Sequence, residues 1–130
     1  MNPRSRSPEG LVKAIIANVT APRGSDVYRA NAWAHSAIME LSEDRPSEAL
    51  EAIIQVLKLD ATAPVIEYLS AGPLEQLLLK RGETVMPRIE ELAPLEPALR
   101  RALGGVWKSS IPETVWSRVE RLRDLSYWND

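Results

Sequence analysis

Between Ser70 and Ala93 the chain carries two short apolar stripes separated by a single glycine, and this pattern restricts what the rest can become. Gly72 is placed to cap a helix whose first residue is Pro73, where a missing N–H costs nothing and a fixed φ suits the helix. Glu75 then falls at the third helical position, where a carboxylate reaches the cap N–H and favours the positive end of the helix dipole. Leu74, Leu77 and Leu78 lie on one face at i, i+3, i+4. Lys80 and Arg81 suit a last turn, and Gly82 is expected as a left-handed stop. Thr84 is expected to cap a second helix with Pro87 in its first turn and Val85, Ile89, Leu92 and Ala93 inward. Pro94 ends it, because the residue before a proline leaves the α region.

The same punctuation recurs along the chain. Ser7-Pro8-Glu9 starts a helix with Leu11, Val12, Ile15, Ile16 and Val19 on one side. Ser25 and Asp26 open a second, expected to run to about Ser42 with Val27, Ala30, Ala34, Ile38 and Leu41 inward. Pro46 opens a third, whose face is Leu50, Ile53, Ile54 and Leu57. Pro64 begins a short one through Leu69, and Pro97 another with Leu99, Ala102, Leu103 and Val106. Gly104-Gly105 weakens the end of that helix, since glycine there costs about 1 kcal/mol. Ser110-Ile111-Pro112-Glu113 reads as a capping box before a last helix with Val115, Val119 and Leu122 inward and Trp116 at the flank. No period-2 run or hairpin dipeptide marks a strand. The expectation is an all-α protein of short antiparallel helices, stacked as a compact HEAT-like or solenoid-like array. Residues 8–126 form one domain, with a polar tail at 1–7 and a short tail at 127–130.

Two motifs, taken together, carry a resemblance. Ala71-Gly72-Pro73-Leu74-Glu75 with Leu77-Leu78 and Gly82 is one. Leu103-Gly104-Gly105-Val106-Trp107 followed by Val115-Trp116-Ser117-Arg118-Val119 is the other. From about Trp33 to Val119 the chain resembles a family of small bacterial proteins known only as a domain of unknown function. The resemblance implies a helical shape and no assigned activity.

The chain of 130 residues has a formal net charge of -2, which favours neither a nucleic-acid binder nor a polybasic membrane anchor. Its charge is uneven, however. Glu40 to Glu96 is mostly acidic, Arg4 and Arg6 start the chain, and Arg100, Arg101, Lys108, Arg118, Arg121 and Arg123 crowd its end. The absence of cysteine fits a reducing compartment. Neither a signal peptide nor an apolar run of the ~20 residues of a membrane span is read, so a cytoplasmic location is expected.

Few residues point to bond-making chemistry. His35 is the single histidine, and a zinc site wants several His or Cys ligands. No nucleophile elbow surrounds any serine. Glu43-Asp44 and Glu90-Glu91 are neighbours in sequence, so on a helix they point about 100° apart. No glycine-rich phosphate loop is present. The helix, glycine and helix around Gly82 match a DNA-binding layout in outline, but Glu90 and Glu91 on the second helix would face phosphates. The four tryptophans carry more weight, because the indole is enriched at interfaces. Trp107 and Trp116 either close the last helix pair or form a Trp/Arg surface with Arg100, Arg101, Arg118 and Trp128. Tyr127 and Trp128 are expected to be the most exposed aromatics. The functional expectation is a non-catalytic helical module that binds a protein partner, of the immunity or antitoxin kind, with no cofactor and no metal. The alternative is a nucleic-acid accessory protein using the basic C-terminal helix.

Overall fold

A computed structural model describes residues 7–128. Residues 1–6 of the expected N-terminal tail, with Arg4 and Arg6, and residues 129 and 130 lie outside the described part. The helices are α1 (Pro8–Thr20), α2 (Asp26–Ala30), α3 (Trp33–Asp44), α4 (Pro46–Leu59), α5 (Ala63–Ala71), α6 (Pro73–Leu92), α7 (Pro97–Gly104) and α8 (Glu113–Leu122). The described residues contain no strand, so the protein is all-α as the spacing predicts. No helix among them is long and apolar enough to cross a membrane.

The starts follow local chemistry. Ser7 Oγ accepts from the Gly10 N–H at 2.9 Å, and Ser25 Oγ accepts from the Tyr28 N–H at 3.2 Å. Prolines open α1, α4, α5, α6 and α7 within their first two positions. The expected capping box before α8 is not formed: Pro112 is the cap residue and no side chain caps it. Gly72 caps α6 as expected, but without a side-chain bond to support it.

The expected long second helix is two helices. Asn31 Nδ2 donates to the Val27 carbonyl at 2.9 Å, and the Asn31 and Ala32 amides close tight bonds onto residues of α2. An asparagine side chain that bonds the backbone locally competes with helix continuation. The break turns α2 away from the face of α3, and Val27, expected inward, is 53% exposed. Ala30 is exposed as well, whereas Ala34 and Ile38 are buried as expected.

A second correction falls at the glycine corner. Gly82 is not left-handed; the non-helical residue is Arg81 (φ -138°, ψ 30°), and Thr84 lies inside α6. Arg81 Nε donates to the Glu43 carbonyl at 2.9 Å, and Gln76 Nε2 donates to the Glu43 carboxylate at 2.8 Å. The kink thus satisfies a carbonyl that the end of α3 leaves open. Gly82 is required for another reason: a Cβ there would sit 2.7 Å from Val115 Cγ1 of α8.

The core is one cluster centred on α4 and α6. α4 packs on α1, α3, α5, α6 and α7, and α6 packs on α3, α4, α5, α7 and α8. These contacts describe packed helices, with α4 and α6 touching most of the others. Two buried hydroxyls are satisfied on the helices around the hub: Ser42 Oγ donates to the Ile38 carbonyl at 2.9 Å, and Ser70 Oγ bonds the carbonyls of Ile66 (2.8 Å) and Ala102 (2.7 Å).

Gly82→Ala is expected to keep the fold and lower its stability by about 1–3 kcal/mol through overpacking against Val115, read as a lower denaturation midpoint in urea with an unchanged slope.

Candidate functional site

The expected Trp/Arg surface is divided by the structure into three separate contacts. Trp116 is 7% exposed and belongs to the core of α8, with the Arg123 guanidinium 5.2 Å from its ring. Arg118 forks onto Glu90 of α6, Nε at 2.8 Å and Nη2 at 2.6 Å. Trp128 folds back over α7, where its Nε1–H donates to the Arg101 carbonyl at 2.7 Å and its ring covers Gly104 and Gly105. A Cβ on Gly105 would collide with that indole, so the glycine pair is a landing place for the chain end and not merely a weak helix terminus. The Asp124 N–H donates to the Arg100 carbonyl at 2.9 Å and fixes the same return. Tyr127 stands edge-on to Trp128, with the Arg101 guanidinium 5.9 Å from its ring.

Arg101 and Trp128 are therefore brought together, while Arg118 and Trp116 are engaged elsewhere. Trp107, in the loop before α8, is 78% exposed, and Arg100 is exposed. The expectation that Tyr127 and Trp128 are the most open aromatics is corrected: both are half-buried. The backbone bonds that dock the chain end are the cause, and sequence patterning does not record them.

Other titratable groups are held in local pairs. The Arg118 fork holds the Glu90 carboxyl below its ordinary value of 4.5. Hydrogen bonds from Ser126 hold Asp124 low, with Arg100 and Arg101 assisting. His35 Nδ1 and Tyr68 Oη share a hydrogen bond at 2.7 Å across α3 and α5, and burial pushes the Tyr68 phenol up to about 12. No group of three or more His, Cys, Asp or Glu residues placed to hold a metal ion occurs among the described residues.

A concave surface lies where α1, α3 and α4 meet. It is an open groove of about 880 Å³. Trp33, Ala37 and Leu41 of α3 line it at i, i+4, i+8, beside Leu11 and Val12 of α1 and Ala52 of α4. Leu59, at the end of α4, belongs to the lining and is 65% exposed. Glu9, Lys13, Glu48 and Glu51 stand at its margin. The sequence reading allows for a solenoid-like groove but assigns none of these residues to it. The available signal was a second apolar line on α3, about one-quarter turn from the buried Ala34 and Ile38 line.

The family model described as "Family of unknown function (DUF6869)" matches residues 21–127. The chain belongs to that family. The match contains the Trp33 to Val119 stretch on which the resemblance rests and extends it from the turn before α2 to the docked chain end. Neither the comparison with curated proteins nor that with solved structures finds a match.

Two outcomes follow. Trp116→Ala is expected to cost about 3–5 kcal/mol of stability as a core truncation, and Trp107→Ala less than about 0.5 kcal/mol, both measured by urea denaturation. For Glu90, a folded-state value below the unfolded one gives a contribution that is complete above the ordinary carboxylate range. It is lost as pH falls through the folded value. Glu90→Gln should therefore show a shallower loss of stability than the parent as pH drops below 4.5.

Proposed function

We propose that this protein is a non-catalytic helical module that binds another protein through the groove between α1, α3 and α4. The observation that carries the reading is the groove itself: about 880 Å³, with the half-buried Leu41 and the largely exposed Leu59 in its lining. Concave apolar surface kept open to water is unfavourable for a chain alone and favourable when a partner covers it. Groups able to perform chemistry do not converge in it; its polar margin consists of three carboxylates, one ammonium, two hydroxyls and an amide.

Three of the cations at the other end of the molecule are already engaged, which weighs against a nucleic-acid accessory role. Arg118 is committed to Glu90, Arg123 to Glu120 at 3.5 Å, and Lys108 to Glu113 at 3.4 Å. Cations already matched to carboxylates release few counterions on meeting phosphate.

The test is capture from a lysate of the protein's own cells at moderate salt, comparing the parent with Leu59→Glu. Leu59 is largely exposed, so the substitution leaves the fold intact. The parent should retain a stoichiometric protein that Leu59→Glu loses. Capture that survives Leu59→Glu and disappears on nuclease treatment contradicts the proposal.

A further inference from the structure

We infer that residues 124–128 form a latch, a unit that swings off α7 about a hinge after Arg123 while α7, α8 and the hub stay folded. Closed, it seals the end of α7. Open, it presents Tyr127 and Trp128 and leaves a vacant seat for an indole on the glycine pair. The inference is independent of the groove and rests on what holds each part in place.

The latch is lightly held. Among the described residues its hydrogen bonds to the rest of the molecule are two, from the Asp124 N–H to the Arg100 carbonyl at 2.9 Å and from Trp128 Nε1–H to the Arg101 carbonyl at 2.7 Å. None of its residues is fully buried: Leu125 and Ser126 are exposed, and Asp124, Tyr127 and Trp128 are half-buried. Its internal bonds are more numerous. Asp124 Oδ1 accepts from the Ser126 N–H at 3.0 Å and from Ser126 Oγ at 2.6 Å, the Trp128 N–H donates to the Leu125 carbonyl at 3.0 Å, and Tyr127 stands edge-on to Trp128. The segment therefore keeps its own turn when it leaves and moves as one body.

The helices beside it are held by other contacts. α7 is fixed by the fully enclosed Leu99, Ala102 and Leu103 and by Ser70 Oγ of α5 on the Ala102 carbonyl. α8 is fixed by the buried Val115, Trp116 and Val119 and by the Arg118 fork on Glu90. Arg123 stays with α8, since its N–H donates to the Val119 carbonyl at 3.0 Å and its guanidinium lies over Trp116. The hinge is thus the bond between Arg123 and Asp124. Opening there frees two carbonyls that water can satisfy, and a segment with few enclosed contacts opens at lower free energy than a core.

Gly104 shows that the closed state is built in. A Cβ there would run into the Asp124 carbonyl oxygen and stand 3.0 Å from Trp128 Cδ1, and the nearest atoms all belong to the latch. Gly104 is not left-handed, and glycine is a poorer helix residue than alanine, so its own backbone gives no reason for it. Room for the latch does.

The experiment follows the full-length protein, labelled with 5-fluorotryptophan, by fluorine NMR through a urea titration, with signals assigned by single Trp→Phe replacements. Trp116 reports the core and Trp107 the solvent-exposed position. In the parent, Trp128 should move toward the exposed position before Trp116 responds, and with a smaller slope. At the midpoint of the Trp128 change, folded Trp116 should still exceed unfolded by about tenfold or more. In Gly104→Ala the Trp128 signal should stand at the open position without urea, while the Trp116 midpoint holds or rises. Trp128→Ala, which leaves α7 itself unaltered, should likewise keep the Trp116 midpoint. Trp128 and Trp116 responding at one midpoint in the parent overturns the latch. So does a Trp116 midpoint that falls in both variants, which makes the segment an integral part of the fold. A Trp128 signal unmoved in Gly104→Ala overturns the seat on the glycine pair.

Discussion

The contact between α4 and α6 is the constraint from which the remaining structure follows. Leu50, Ile53, Ile54 and Leu57 give α4 a broad apolar arc, extended by Ala49, Ala52 and Val56, all of them buried. No single neighbour covers an arc that wide, so α4 is surrounded. α6 supplies the largest share of the cover through Leu74, Leu77 and Leu78, then bends at Arg81 and continues with Val85, Met86 and Ile89. Gln76 and Arg81 bond α3 up to the bend, and Glu83 and Glu90 bond α8 beyond it. Every aliphatic side chain in that contact is worth about 1.5–3 kcal/mol when fully withdrawn from water, so the hub outweighs any of the surface ion pairs around it.

A hub of this kind leaves unequal surroundings on its two sides. On the α7 and α8 side, the chain end returns and seals the surface: Trp128 lies on Gly104 and Gly105, and Arg118 bolts α8 to α6. On the α1, α3 side, Ala37 and the buried Ala52 are among the residues that line the trough. The α7 and α8 side has Trp116, Arg118 and Trp128 engaged while Trp107 stays exposed, and the groove lies among α1, α3 and α4.

The sequence is most informative where structure depends on neighbours in the chain. Helix starts at Pro8, Pro46, Pro73 and Pro97 are legible because a proline's ring geometry acts within one turn. The core faces of α4 and α7 are legible because burial of a stripe at 3.6-residue spacing needs no knowledge of the partner. The failures involve distant contacts. Nothing near Gly82 announces that Val115 will approach it, so a glycine between two apolar stripes reads as a stop. Nothing near Gly104 and Gly105 announces the Trp128 indole. Asn31 is a different case, a local competitor whose bond to Val27 interrupts an apolar pattern that periodicity alone would carry through to Ser42. The groove belongs with the distant contacts, because three helices define it and the apolar line on α3 does not by itself show what stands opposite.

Native-state hydrogen exchange tests the central claim most directly, since it ranks helices by the free energy needed to open them. If α4 and α6 are the hub, their mid-helix amides exchange last, at a common rate set by global unfolding, while α2 and the loop carrying Trp107 exchange through small openings. Slowest exchange in α1 or α8, with α4 or either half of α6 opening earlier, would contradict the account.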